Sequence, residues 1–445
     1  MENKWAGLSP DEKQAERFKQ WLSPDNIEFI SPEAERLYKE RVNRLIDAIK
    51  LREPDRVPLA ANPGHTPARY SGYTVRDVMY DINKVVKAWK KYIDDFELDI
   101  LPSAGVIRCG RVLDIINSRM YKWPGHGLSD DLAAQYLEGE YVRADEWDII
   151  RKDPADFHFR TYLPRICGVA EALKKLPPLT AIGAAPGGGF AAFADPEIQA
   201  VFRAFFEAGE EEKKWRGVIS QLDREGLASG LPIFYGGTAG AISPLDRIGA
   251  SLRGTKGTVM DMFRQPDKLF EYMEEMIPAV IRAAVAGAER TGVPIIFIPL
   301  HRGADGFMSE AQFNTFYWPY LKRVILGIVE EGLVPRLFAE GGYNSRLEII
   351  SELPKGKVVW HFDHTDMARA KEILGGRACI MGNIPASLLV TGTRDEVREY
   401  CRKLIETAGK DGGYIMAPGA TADNANLENI KVMMESVKEY GVYRK

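Results

Sequence analysis

The chain has 445 residues, of which 45% are hydrophobic and 27% are charged, and its formal net charge is −4. This is the composition of a globular protein with an ordinary core, and a charge so close to balance gives no indication of binding to nucleic acid or to anionic lipid. The four cysteines form no C-x-x-C pair, which argues against a disulfide framework and against a thiolate-rich metal site.

The amino-terminal residues, MENKWAGLSPDEKQ, are polar and do not resemble a secretory signal. No apolar run approaches the roughly 20 residues that a membrane span needs. We therefore expect a cytoplasmic protein that binds neither membrane nor nucleic acid.

The predicted elements begin with helices in residues 1–51. Ser9-Pro10-Asp11 and Ser31-Pro32-Glu33 each combine a capping serine with proline at the first helical position. After residue 51, short apolar runs alternate with long helical patterns, which is typical of a parallel sheet with crossover helices. The predicted strands are Val57–Ala61, Ile100–Ser103, Leu179–Ala184, Pro232–Tyr235, Pro294–Pro299, Pro335–Ala339, Val358–Phe362, Cys379–Gly382 and Tyr414–Ala417.

The predicted helices between these strands have recognisable ends. Gly292 is expected to end a helix that begins near Pro266. Capping boxes or single capping side chains predict further helix starts. These caps are Asp195, Ser309, Thr393 and Asn426, and a short helix is expected from Asp366 to Leu374.

The repeated strand–helix pattern favours a (β/α)₈ TIM barrel formed by a single domain over residues 1–445. Periodicity alone leaves a doubly wound sheet open, and nine predicted strands for eight places mean that at least one is wrong or lies outside the barrel. The stretch from about 108 to 177 is irregular and rich in Trp, Tyr, His and Arg. We interpret it as an insertion over one end of the barrel.

In a parallel barrel, functional groups cluster just beyond the carboxyl ends of the strands. Four of the six histidines fall there, and histidine suits both proton transfer near neutral pH and metal ligation. His65 can instead cap a turn, and His361 can be a hydrogen-bonded core residue. The candidate site residues at these positions are His65, Arg69, His301, Arg302, Asp305, Glu340, His361, Asp363, His364 and Asn383.

The densest polar cluster is His361-Phe-Asp363-His364. In a strand, His361 and Asp363 point to the same face, and His364 follows at the strand end. Together with Glu340 they predict either a catalytic acid–base set or a metal site with Glu340, His361 and Asp363 as ligands for a divalent, zinc-like ion. The spacing is not that of H-E-x-x-H or Cys-rich zinc sites, and ion pairing around the barrel rim is the structural alternative.

Several segments of the carboxyl-terminal half resemble the uroporphyrinogen decarboxylase superfamily. They are SLRGTKGTVMDMFRQPDKL from Ser251, GADGFMSEAQFNTFYWPYLKR from Gly303, HFDHTDMARAKEILGGRACIMGNIPASLLVTGTRDEV and the closing NLENIKVMMESVKEYGVY. The similarity covers about Pro232 to Tyr443 well and Arg52 to Gly105 more loosely. It implies a (β/α)₈ barrel with the site at the strand carboxyl ends.

The superfamily includes the haem-pathway decarboxylase and corrinoid-linked methyltransferases, and the chain departs from both. Where the decarboxylase has an R-Q-A-G-R motif, this chain reads ANPGHTPARYSGY, with only Arg69 as a candidate. Where the thiol-directed methyltransferases hold zinc with H-x-C and a later Cys, this chain has Phe338, Glu340 and Ala420. The looser match through GYTVRDVMYDINKVVKAWKKY is closer to the methyltransferase branch.

The resemblance therefore implies a methyltransferase that acts on a small or aromatic substrate, with a corrinoid protein or a pterin (methylcorrinoid or tetrahydrofolate) as methyl partner. We expect catalysis from Glu340, His361, Asp363 and His364, and substrate binding by the remaining candidates. One rival is a divergent decarboxylase or lyase, for which Arg69, Arg108 and Arg302 are the available cations. The other is a non-catalytic barrel that binds a corrinoid or tetrapyrrole. A homodimer is one expected assembly, because barrels of this kind often dimerise.

Overall fold

The structure is a computed structural model that describes residues 5–186 and 188–443. Its strands, in chain order, are β1 Tyr121–Pro124, β2 Gly127–Leu128, β3 Gln135–Tyr136, β4 Ala239–Gly240, β5 Ile295–Leu300, β6 Val334–Ala339, β7 Val359–Phe362, β8 Cys379–Met381 and β9 Tyr414–Ile415. In the first half of the chain, the α-helices are α1 Pro10–Leu22, α2 Pro32–Ile49, α3 Thr66–Tyr70, α4 Val75–Tyr80, α5 Ile82–Asp95, α6 Gly110–Ile115, α7 Trp147–Lys152, α8 Pro154–Phe157, α9 Leu163–Ile166 and α10 Pro196–Ala228.

The second half contains α11 Pro244–Ser251, α12 Gly254–Arg264, α13 Pro266–Thr291, α14 Glu310–Gln312, α15 Trp318–Glu330, α16 Leu347–Ile350, α17 Met367–Leu374, α18 Ala386–Thr391, α19 Arg394–Thr407 and α20 Leu427–Glu439. Two π-helical turns lie at His158–Tyr162 and Phe313–Tyr317. The 3₁₀ turns are Ala104–Val106, Gly168–Lys175, Leu179–Ala181, Phe190–Ala194 and Asn344–Arg346.

The helix caps predicted from the sequence are confirmed. The Ser9 hydroxyl accepts the backbone N–H of Glu12 at the start of α1, and Ser31 caps α2 in the same way. Gly292 ends α13 in the left-handed conformation that glycine adopts without a steric penalty. Capping boxes begin α14 and α19, and single caps begin α10, α17 and α20.

The main sheet is parallel, with strand order β4-β5-β6-β7-β8-β9. All six residues of β6 are buried, as expected for a strand covered on both faces. Because consecutive strands are neighbours joined by helices, their carboxyl ends meet at one edge of the sheet. The structure thus confirms an α/β fold with a parallel sheet.

Three buried segments before β4 extend this arrangement without forming regular strands. Ala60 donates its N–H to Met416 O (2.8 Å), and Met416 donates to Pro58 O (2.9 Å), so residues 58–60 lie beside the chain that follows β9. Leu101 donates to Pro232 O (2.9 Å), which joins two more predicted strand segments.

The predicted strands of the second half are confirmed to within one or two residues, whereas those of the first half are not. Val57–Ala61 makes only a single bridge, and Ile100–Ser103 and Pro232–Tyr235 are buried but irregular. Leu179–Ala184 was wrong as a strand: it contains a 3₁₀ turn over Leu179–Ala181 and belongs to no strand. β4 begins seven residues after Pro232.

The predicted insertion, 108–177, contains a small sheet of order β2-β1-β3 and short helices. It packs against α11 and α12: Val142 donates to Leu252 O (2.7 Å), and the Trp147 indole donates to Asp261 (3.0 Å). Asp131 O also accepts from Arg69 of α3 (2.5 Å). The insertion therefore contacts the edge of the sheet where the strands end.

The largest cluster of buried side chains joins α1 and α2, the main sheet and the helices that cover it. Its bulkiest members include Trp21, Trp147 and Trp360. Within the part of the chain that the structure describes, no helix combines the length and the apolar character needed to cross a bilayer.

Candidate functional site

Three neighbouring strands bring polar side chains to one place. Phe338 of β6 pairs with Pro299 of β5 and with His361 of β7 in the parallel register. His301, Glu340 and Asp363 each lie two residues further along these strands. Because side chains alternate along a strand, residues two positions apart share a face. His301, Glu340 and Asp363 therefore gather at the carboxyl-terminal end of the sheet, which we call the mouth.

A short hydrogen bond at the mouth joins His301 and Glu340. The Nδ1 atom of His301 lies 2.7 Å from Oε2 of Glu340, and the two side chains are 38% and 40% exposed. The hydrogen bond and charge of Glu340 raise the pKa of His301 above its usual value, although burial acts in the opposite direction. The imidazole is therefore biased towards its protonated form near neutral pH, and its Nε2 atom is the one left for a substrate.

Asp246 and its partners fix the strand end behind His301. Asp246 is fully buried and accepts the backbone N–H of Arg302 (2.9 Å) and the hydroxyl of Tyr317 (2.5 Å). The Arg302 guanidinium lies 3.6 Å from the same carboxylate and 3.5 Å from Glu138 of the insertion. Burial raises the pKa of Asp246, while the charges of His301 and Arg302 and the Tyr317 hydrogen bond oppose that shift. This network holds residues 301 and 302 in place.

Below the mouth, four rings form what we call the aromatic floor: Tyr235, Phe297, Phe338 and His361. Each ring neighbours the next, with centroid distances of 6.4 Å (Tyr235–Phe297), 6.4 Å (Phe297–Phe338), 4.6 Å (Phe338–His361) and 5.7 Å (His361–Tyr235). Tyr235 and Phe297 are only partly buried, so the floor is open to the mouth. Such a surface suits stacking of a planar ligand.

His361, which was predicted to be catalytic and to bind a metal, is one of the four rings of the aromatic floor. Its side chain is completely buried, and Nε2 donates to Pro418 O at 2.8 Å. Burial, reinforced by the charge of Arg336, lowers the pKa of His361 to about 3. The ring is therefore neutral at physiological pH, and its Nδ1 atom has no hydrogen-bond partner among the described residues.

Arg336 lies against the aromatic floor and was missed from the sequence. Its guanidinium is 4.0 Å from the ring centroid of Tyr235 and 4.6 Å from that of Phe297, and Nη2 donates to Tyr235 O (3.1 Å). The side chain is completely buried, and its Nε and Nη1 atoms have no partner in the described part of the chain. An arginine inside the apolar strand VPRLFA was the one signal that could have found it.

Asp363 and His364 form a second pair, beside the mouth. The Oδ2 atom of Asp363 accepts the N–H of Gly341 (3.1 Å) and lies 2.8 Å from Nδ1 of His364, whose side chain is 73% exposed. Both line a cavity of about 500 Å³ that also includes Asn383. The Asn383 amide donates to Thr365 O (2.7 Å), which leaves its carbonyl for a ligand.

Three other predicted substrate-binding residues hold loops together. His65 Nδ1 lies 2.8 Å from Asp423, Arg69 donates to the insertion, and Asp305 accepts the Ser345 hydroxyl (2.7 Å). Substrate binding by these residues stays a prediction.

The predicted metal ligands Glu340, His361 and Asp363 do not form a ligand group. Among residues 5–186 and 188–443, no three His, Cys, Asp or Glu side chains are arranged so that they could hold a metal ion. Nε2 of His361 is used by a backbone carbonyl, and Asp363 is paired with His364. At the positions equivalent to zinc ligands, Phe338 and Ala420 have no ligating atom. These donors do not fit zinc, so we derive no step through a metal.

The chain has recognisable relatives. Residues 236–440 match the family model described as Uroporphyrinogen decarboxylase (URO-D). Uroporphyrinogen decarboxylase of Syntrophotalea carbinolica is 29% identical over 126 residues, which are 27% of this chain and 36% of that protein. Uroporphyrinogen decarboxylase of Azoarcus sp. is 25% identical over 183 residues, 40% of this chain and 49% of that protein. The match thus spans between about a third and a half of the length of these curated relatives.

A solved structure of a methyltransferase from Methanosarcina mazei has a similar fold. Its TM-score is 0.56, and the superposition covers 91% of this chain and 98% of that one at 16% sequence identity. At this identity the similarity is evidence for the fold alone. Residues 236–440, which carry most of the site, are thus similar to the uroporphyrinogen decarboxylase family.

Proposed function

We propose that the protein is a methyltransferase that removes a methyl group from the oxygen of a small aromatic substrate. The observation that carries the proposal is the His301–Glu340 hydrogen bond of 2.7 Å, positioned at the strand ends beyond the aromatic floor. The floor offers a stacking surface, and the pair supplies a proton at its edge. The first would orient an aromatic ring, and the second would neutralise the oxygen that loses the methyl group.

Methyl transfer is an in-line displacement in which the methyl carbon–oxygen bond breaks and its electron pair stays on the oxygen. That oxygen needs a proton as its negative charge develops. Glu340 raises the pKa of His301 and so favours its protonated form, in which Nε2 can donate this proton. A reduced corrinoid on a partner protein, or a reduced pterin, would supply the nucleophile that accepts the methyl group. Asp246 and Arg302 act as positioning residues by fixing the backbone next to His301.

The open mouth supports the proposal as well. His301 and Glu340 are more than one-third exposed, so a large partner can reach the reacting atoms.

We further propose that residues 58–60 and the segments near residues 101 and 232 close the parallel sheet into a (β/α)₈ barrel of one domain. Their hydrogen bonds to Met416 and to each other support closure.

The second candidate is a decarboxylase or lyase acting on a carboxylated substrate, which the curated relatives favour. The cations expected for it are engaged elsewhere: Arg69 bonds to Asp131 O, Arg108 stacks on Tyr121 (4.3 Å), and Arg302 is paired with Asp246. Arg336 is the cation near the floor that could attract a carboxylate.

The test is an assay of both reactions on the same substrates. Methoxybenzenes with and without a ring carboxylate are incubated with the protein and reduced cobalamin, and methylcobalamin formation is followed by absorbance while released CO₂ is measured in parallel. We expect methylcobalamin and the corresponding phenol, with loss of at least about a hundredfold in rate for His301→Gln. CO₂ release without methyl transfer would replace the proposal by the decarboxylase. Binding without turnover of either kind would indicate a non-catalytic barrel.

The matched control is His364→Gln. His364 also pairs with a carboxylate but is 73% exposed and lies beside the mouth. An equal loss of rate in both variants would show that the His301–Glu340 pair has no special role.

A further inference from the structure

The carboxylates around the mouth are paired with basic side chains. The pairs are Glu340 with His301 (2.7 Å), Asp363 with His364 (2.8 Å), Asp246 with Arg302 (3.6 Å) and Asp305 with Arg346 (3.7 Å). Each pair can balance its charge within the protein. These groups therefore leave little net charge to attract a substrate.

Arg336 is the exception. It is completely buried, and no carboxylate of the described residues forms an ion pair with it, while two of its three guanidinium nitrogens have no hydrogen-bond partner. Burial lowers the pKa of Arg336, because removing the guanidinium from water disfavours its charged form. Contacts with the rings of Tyr235 and Phe297 offset part of that cost, but a buried charge without a counter-charge is normally selected against.

We propose that the missing counter-charge is brought by the substrate, so that the ligand of this site is an aromatic carboxylate bound on the aromatic floor. The inference rests on the proposed function in placing an aromatic substrate at this mouth, and it adds the charge of that substrate. Arg336 need not touch the carboxylate, because a cation enclosed by rings acts across a region of low dielectric constant, where its field is poorly screened.

The floor itself favours this arrangement. His361 is held neutral by burial and by Arg336, so it adds no charge of its own, and its unpartnered Nδ1 atom is a hydrogen-bond acceptor rather than an anion. Phe297 and Phe338 have no ionisable group. Arg336 thus adds a positive potential to the floor, from which a carboxylate gains more than a neutral ligand of the same shape.

The test compares equilibrium binding of two isosteric pairs, benzoate with benzamide and 4-methoxybenzoate with 4-methoxybenzamide, by titration calorimetry. For the wild-type protein we expect each carboxylate to bind on the order of tenfold tighter than its amide. In Arg336→Met that preference should vanish through weaker carboxylate binding, and Arg336→Lys should retain most of it. Equal affinity for acid and amide in the wild-type protein would overturn the inference, as would an unchanged preference in Arg336→Met.

Unfolding measurements without ligand provide the matched comparison. Arg346 is also buried, but it donates to Gly303 O and Met308 O and lies next to Asp305, so Arg346→Met should lower the midpoint of denaturation. Arg336→Met should leave the midpoint unchanged or raise it, because it removes an unpaired buried charge. A loss as large as that of Arg346→Met would show that Arg336 is structural. Carboxylate preference that depends on Arg336, without methyl transfer, would keep this inference and reject the proposed reaction.

Discussion

The neutral, buried state of His361 predicts a specific loss of stability in acid. In the unfolded chain a histidine takes up a proton below its ordinary pKa of 6.5, whereas in the folded protein the pKa of His361 is lowered to about 3. Between these values the unfolded state binds more protons, so folding stability is full above pH 6.5 and falls as the pH is lowered towards 3. The expected loss from this one group is about 2 kcal/mol between pH 7 and pH 5.

The perturbation is His361→Gln, whose amide can still donate to Pro418 O but does not titrate. Urea denaturation of both proteins at pH 7 and pH 5 gives the change in unfolding free energy with pH for each. The wild-type protein should lose about 2 kcal/mol more than the variant over this interval. His364→Gln, at an exposed position, should behave as the wild type does. If His361→Gln and the wild type lose the same free energy, His361 is not a buried neutral group.

Two further substitutions test the mouth. Glu340→Gln removes the charge that raises the pKa of His301. The high-pH limb of the pH–rate profile should therefore move to lower pH. A limb that keeps its position would contradict the pairing of His301 with Glu340. In Gly249→Ala the new Cβ would lie 2.1 Å from Nε of Arg302, so the unfolding free energy should fall by about 1–3 kcal/mol. Gly217→Ala, a helical position where the Cβ meets nothing within 4 Å, is the control and should be neutral or stabilising.

The sequence predicted the second half of the sheet better than the first for a physical reason. The apolar runs of β5 to β9 have regular ladder partners on the adjacent strands. Pro58, Pro102 and Pro232 lie in the earlier predicted strands, but Pro335 and Pro299 lie within the regular β5–β6 ladder, so proline alone does not decide ladder formation. Those segments are buried as predicted, but they make one or a few isolated hydrogen bonds instead of regular pairing. Hydrophobicity indicates burial, whereas ladder formation depends on partners distant in the chain.

The candidate site could likewise be predicted only in part from the sequence. The sequence could place His301 and Glu340 at adjacent strand ends, because consecutive parallel strands end at the same edge. It could not show that they bond to each other, that His361 donates to Pro418 O, or that Asp246 supports Arg302 across 56 residues. These contacts depend on the register of the strands. The metal ligands were predicted from residue types, whereas in the structure His361 bonds to Pro418 O and Asp363 pairs with His364.

The most direct measurement of the central claim is a crystal structure of the protein with 4-methoxybenzoate. We predict that its ring lies on Tyr235 and Phe297 of the aromatic floor, with the methoxy oxygen within hydrogen-bonding distance of Nε2 of His301. A ligand bound instead in the cavity lined by Asp363, His364 and Asn383 would contradict the account, because the His301–Glu340 pair could then not reach the reacting oxygen.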